Sequence, residues 1–270
     1  MINRRVTRVV LNSTEVTSKL TTPNGADYVP VLTTSDALYL GYVGKFASRY
    51  VQVSVVNDVV SALTVEYWDG AAWVAVDDLI DQTAVGGATL AQSGFISWVN
   101  KDDWAESSLA GVDTDVQMFW VRIKVSANLT ATASIKSVLN LFSDDALLRG
   151  YFPELVSDVN YLPSGKTNFL DQHVSAKDLV VLRLKQRKLI SHESQILEPN
   201  DVAVAATYAA AMLILQPIAT SEAVKSLLAI ATAGFDNEIS KVDFSIDADQ
   251  DGTVSEQERQ QVSEVWVVRR

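Results

Sequence analysis

Twelve residues from Asp247 to Glu258, reading DADQDGTVSEQE, carry oxygen ligands at the spacing of an EF-hand-type calcium loop. Asp247, Asp249 and Asp251 hold its first, third and fifth places. Gly252 permits the sharp turn at the sixth, Thr253 offers its carbonyl, and Glu258 closes the loop at the twelfth as a bidentate ligand. These carboxylates repel one another unless a cation sits among them. Ca2+, with a flexible oxygen shell, suits them better than octahedral Mg2+. Val254 is placed to anchor the loop to a core and Ser255 to contribute through water. A sensor EF-hand works as a pair of loops, each entered by a helix. Here there is one loop, and Val242, Phe244 and Ile246 alternate with Asp243 and Ser245 ahead of it, so a strand enters it. The expectation is a structural Ca2+ whose binding is part of the folding free energy, and not a switch.

The remaining chemistry-bearing residues point away from catalysis. The chain has no cysteine, which removes disulfides, thiolate zinc sites and cysteine nucleophiles. There is no G-x-S-x-G, and the two histidines, His173 and His192, have no identifiable nucleophile beside them in sequence. Gly165, Lys166 and Thr167 end like a phosphate loop, but Asn160 stands where its first glycine belongs. Asn128-Leu129-Thr130 has only the form of a glycosylation sequon. Aromatic residues are the other resource: Tyr67, Trp68, Trp73, Trp98, Trp104, Phe119 and Trp120. Neighbouring strand residues face opposite ways, so the pairs Tyr67/Trp68 and Phe119/Trp120 should each send one ring into the core and one outward. Outward rings can serve as a glycan platform or a protein contact.

The 270 residues carry a net charge of -11, which argues against a broad phosphate-gripping face. Arg4, Arg5 and Arg8 at one end and Arg269 and Arg270 at the other read as solvated termini. No signal-peptide h-region precedes a small-residue cleavage site, so a cytoplasm is the expected compartment. Val202 to Leu215 is the longest apolar stretch; it contains Thr207 and Tyr208 and is closed by Pro217, short of the ~20 residues that span a bilayer. It predicts a buried helix, and no membrane is expected as a partner.

Positioning these residues calls for two domains of an α+β chain, which its length and 48% hydrophobic content allow. Residues 1–27 read as an N-terminal arm. Residues 28–145 carry period-two runs such as Tyr50–Val55 and Leu63–Tyr67, with further strands at Gly94–Val99, Met118–Val125 and Ser134–Phe142. Asp69-Gly70 between two of the runs is hairpin chemistry, and the set predicts an antiparallel β-sandwich. Gly150, Pro153, Pro163 and Gly165 mark 146–166 as a linker. Residues 167–270 form a small α-helical bundle with the calcium loop, 247–258, and an extended C-terminal tail. Its first helix is capped at Ser175, its second starts at Pro199, Asn200 and Asp201, and its third is capped at Thr220 or Ser221. The third carries the stripe Val224, Leu227, Leu228, Ala231, Phe235 and Ile239.

Taken together, ALYLGYVGKF, LTVEYWDGAAWVAVDDLIDQT, QSGFISWVNKDDW, FWVRIKVSANLT and VLNLFSDD, followed by a helical half ending in DFSIDADQDGTVSEQE, resemble virion structural proteins of tailed bacteriophages. The helical half looks like the head-tail adaptors of the neck in its alanine-rich second helix and long third helix. That resemblance implies a non-enzymatic protein of the virion neck, assembled in the bacterial host cytoplasm. It further implies a homo-oligomeric ring of 12 copies between the portal protein and a tail-side neck or tail-terminator protein, through which DNA passes without specific binding. In this reading the sandwich decorates the neck, and Trp266, Val267 and Val268 add as a strand to a neighbouring or portal sheet. Two alternatives are a calcium-assisted glycan-binding tail or baseplate protein and a capsid-decorating protein.

Overall fold

The computed structural model describes residues 7–28, 32–109 and 113–242. They form a mixed α and β structure in which the chain divides into two units between Asn140 and Leu141.

The first unit holds β1 (Thr7–Leu11), β2 (Thr14–Glu15), α1 (Thr17–Leu20), β3 (Leu38–Tyr42), β4 (Ser48–Val55), β5 (Leu63–Trp68) and β6 (Trp73–Ala75). It continues with β7 (Asp77–Asp81), β8 (Gly94–Val99), β9 (Glu106–Leu109), β10 (Asp113–Val125) and β11 (Ser134–Leu139). One sheet runs β2-β1-β3-β10-β5-β6, with β9 also on β10; the other runs β11-β4-β8-β7. Every strand pair is antiparallel. The period-two runs explain the core: Val65, Tyr67, Val121 and Ile123 from the first sheet join Val51, Ile96, Trp98 and Val138 from the second in one apolar cluster. The β5–β6 hairpin follows its sequence. Asp69 accepts from the N–H groups of Ala71 and Ala72, both at 2.7 Å, and Gly70 adopts φ +100°.

Two expectations for this unit are corrected. The segment read as an arm is built into the first sheet: β1 pairs with β3 from Thr7↔Tyr42 to Leu11↔Leu38, and Val9 and Val10 are fully buried. Its short apolar run finds its partner thirty residues on, out of reach of local patterning. Trp120 points away from the core between the sheets yet is fully buried, because it clusters with Val10 and Met118 under Tyr39, Trp73 and Leu109, and the Ser107 carbonyl accepts from its indole N–H at 2.9 Å. Trp120 has room only because residue 41 is glycine; a Cβ there would lie 2.6 Å from its ring.

The loops at one end are tied together by Asn57, which is 1% exposed. Its amide donates to the carbonyls of Val59 and Thr89, and its oxygen accepts from the Thr130 N–H, so three connections share one side chain. At the rim of the second sheet, β7 has a register shift between Asp77 and Ile80, with Asp78 at φ +48°.

The second unit holds α2 (Asp145–Tyr151), α3 (Pro153–Ser157), α4 (Leu170–Gln186), α5 (Asn200–Leu215) and α6 (Glu222–Lys241). α5 packs along both α4 and α6, which barely touch each other. Its buried residues, among them Val202, Ala206, Ala209, Ala210 and Leu215, cover much of its circumference. By length and composition Asn200–Ile218 could cross a membrane, but half of it is buried inside the protein. α6 begins where the sequence indicates, with Ser221 Oγ accepting from the Val224 N–H. α4 does not. It starts at Leu170, and Ser175 lies inside it, donating back to the Asp171 carbonyl at 2.9 Å. The stretch 146–166, read as a linker, instead folds largely as α2, α3 and a 3-10 turn, with Leu148 and Leu155 fully buried.

Candidate functional site

The calcium-loop residues Asp247, Asp249, Asp251, Thr253 and Glu258, and the tail residues Trp266, Val267 and Val268, lie outside the described residues. Among the described residues there is no group of three or more His, Asp or Glu side chains placed to hold a metal ion. What the structure does fix is the approach to the loop. α6 ends at Lys241, and Val242 packs on the helical core five positions before Asp247. The guanidinium of Arg187, at the end of α4, donates to the carbonyls of Ile239 and Ser240. A cation thus sits on the negative end of α6, holding the point from which the acidic segment departs.

One cluster was invisible in sequence. Ser143 Oγ lies 2.8 Å from His173 Nδ1, and His173 Nε2 lies 3.1 Å from Asp145 Oδ1. Asp145 accepts from the Nε2 proton, and the Ser143 hydroxyl, which can donate or accept, meets Nδ1. The three residue types are those of a hydrolytic triad, but the geometry serves a different purpose. Ser143 is 0% exposed, so no substrate carbonyl can reach its oxygen. Asp145 also accepts from the Phe169 N–H at 3.3 Å, and Asp144 caps α2 by accepting from the Leu147 N–H at 2.9 Å. The cluster joins the start of α2 to the first turn of α4. His173 is conspicuous in the sequence; its partners, about thirty residues away, carry no signal beyond the Ser-Asp-Asp run.

The aromatic residues divide into two sets. Facing the core between the sheets, Phe46 meets Trp98 at 5.5 Å and Trp104 at 5.1 Å, and the guanidinium of Arg49 lies 3.7 Å from the Phe46 ring centre. Tyr67 joins this set and donates to Asp103 at 2.9 Å; burial, reinforced by that carboxylate, pushes its hydroxyl up to about 12. On the opposite face of the first sheet, Trp68 and Trp73 are half-buried and meet across the hairpin at 5.5 Å, with Tyr39 a further 5.5 Å from Trp73. Arg122 stands 5.0 Å from the Trp73 ring centre and forms a paired hydrogen bond to Glu66, at 2.6 and 3.2 Å. The Tyr67/Trp68 pair therefore splits inward and outward as its alternation dictates.

The remaining sequence features are structural. Gly165 is at φ +75° in a turn, and Lys166 pairs with Asp171 at 3.0 Å. Asn128 accepts from the Thr34 N–H and Thr130 is bonded to Asn57, so the sequon residues are part of the loop network. In comparison with known proteins, no family model matches the chain and no curated protein matches it.

Proposed function

We propose that the protein is a structural head-tail adaptor of a tailed-phage neck, forming a ring of 12 copies between the portal and the tail-side neck proteins, with DNA passing through its lumen. In this reading the chain has two domains: the paired sheets are a β-sandwich projecting outward, and the helical unit makes the ring. The observation that carries it is the helical layer, in which an alanine-rich α5 is flanked by α4 and a long α6 whose end is held at the point where the acidic loop and tail depart. That is the arrangement an adaptor needs to present an assembly segment from a rigid body. Asp247, Asp249, Asp251, Thr253 and Glu258 hold a structural Ca2+, which fastens the segment, and Trp266, Val267 and Val268 dock as a strand. The protein catalyses no reaction and resides in the virion.

The test is the rotational symmetry and position of the protein in averaged particle images. A twelve-fold ring beneath the portal is expected; three- or six-fold density at the distal tail would overturn the reading. Truncation after Ser263 should abolish docking on the portal, and docking by the truncated chain would remove the tail from the proposal.

A glycan-binding tail protein remains a second reading, because the outer patch of Trp68, Trp73, Tyr39, Arg122 and Glu66 combines ring faces with charged hydrogen-bonding groups, the chemistry that holds sugars. Glycan-array binding that disappears on Trp73→Ala would favour it over the adaptor.

A further inference from the structure

The helices that flank α5 each leave a large apolar side chain in solvent. Leu182 of α4 is 50% exposed and Ile230 of α6 is 57% exposed. A helix facing water on one side carries polar residues there, yet residues 227–235 of α6 read LLAIATAGF, with no charge. Ser226, Ala229, Ile230 and Ala233 are all exposed and stand at i, i+3, i+4 and i+7, the four corners of a hole that accepts a knob from a facing helix. Three of the four are small, which leaves depth for a leucine. Charge agrees with shape. Lys185 is exposed one turn beyond Leu182, flanked by exposed Arg183 and Lys188, while Asp236 is exposed one turn beyond Ala233. The knob and the hole lie on different helices, so a copy can seat its knob on one neighbour and offer its hole to the next, which is a head-to-tail arrangement.

We infer that copies of this chain associate head to tail, with Leu182 of one seated among Ser226, Ala229, Ile230 and Ala233 of the next and Lys185 beside its Asp236. This rests on the ring reading above and names the surfaces that would close the ring.

The absence of cysteine makes disulfide trapping clean. Lys185→Cys and Asp236→Cys full-length chains, mixed and oxidised, should give a covalent dimer, while each alone gives none. The doubly substituted chain should give a ladder of higher oligomers, and adding Leu182→Asp should remove it with the circular dichroism spectrum unchanged. Dimers from either single variant, a ladder insensitive to Leu182→Asp, or no ladder at all would each overturn the contact. Symmetric docking on the portal without a ladder would discard this contact and leave the ring standing; a ladder from a chain that does not dock would do the reverse.

Discussion

Replacing Gly234 with alanine sets two effects of known size against each other. Glycine inside a helix costs about 1 kcal/mol relative to alanine, so on helix propensity alone the substitution stabilises α6. At this position, however, a Cβ would lie 2.3 Å from Cε1 and 2.4 Å from Cδ1 of Tyr208 on α5. Those are ring atoms, and the ring is held on its other sides by Tyr151 at 5.7 Å and Phe152 at 5.5 Å. It cannot swing aside without disturbing the α2–α3 corner, so the helices must part. Overpacking of this kind costs roughly 1–3 kcal/mol, and contacts as close as these put the cost toward the upper end, leaving a net loss of up to about 2 kcal/mol. Followed by circular dichroism at a helix wavelength, the expected change in Tm is a fall of up to about 8 °C. The same substitution made with Tyr208→Leu should be neutral or stabilising, because the obstructing ring is gone. A rise in Tm in the natural background, or an equal loss in both, would refute the reasoning.

Asn57→Ala should cost about 2–4 kcal/mol in urea unfolding, since it frees buried groups of three loops at once. Protease cleavage at all three connections should rise together; cleavage at one alone would deny the shared tie. Glu198 is raised above its ordinary value by burial, with the charge of Asp201 adding to it. A raised carboxyl favours the folded state below its ordinary value, near pH 4.5, and that contribution is lost as pH climbs through the folded value. Glu198→Gln should therefore raise Tm at pH 7 and leave it unchanged near pH 4; a uniform shift would contradict this. Chelating Ca2+ should lower Tm and expose residues after Val242 to proteases, and no change in either would remove the metal from the account. His173→Ala should loosen the α2–α4 junction, read as faster hydrogen exchange at Leu147 and Phe169.

How much of this was legible depended on whether the determining contacts were local. The strands at Tyr50–Val55 and Leu63–Tyr67, the Asp69-Gly70 turn and the Ser221 cap all declare themselves within a few residues, and the structure places each as read. The start of α4 was missed because its N-cap, Phe169, makes no side-chain cap bond, while Ser175 offers a capping side chain in mid-helix. α2 and α3 were hidden by residues that usually break helices. Pro153 opens α3, where its missing N–H costs nothing, and Gly150 sits on the outside of α2 with nothing near it. The Ser143–His173–Asp145 cluster and the burial of Trp120 depend on chain segments brought together from afar, and no periodicity records them.

The irregular rim strand β7 bears on how the protein behaves at high concentration. A regular edge strand offers a row of free N–H and C=O groups on which another chain can grow without limit. With the backbone of Asp78 turned to φ +48°, the register broken before Ile80, and Asp77, Asp78 and Asp81 along it, that row is interrupted and negatively charged. A strand of another chain therefore finds no continuous row of backbone groups to add to along this rim.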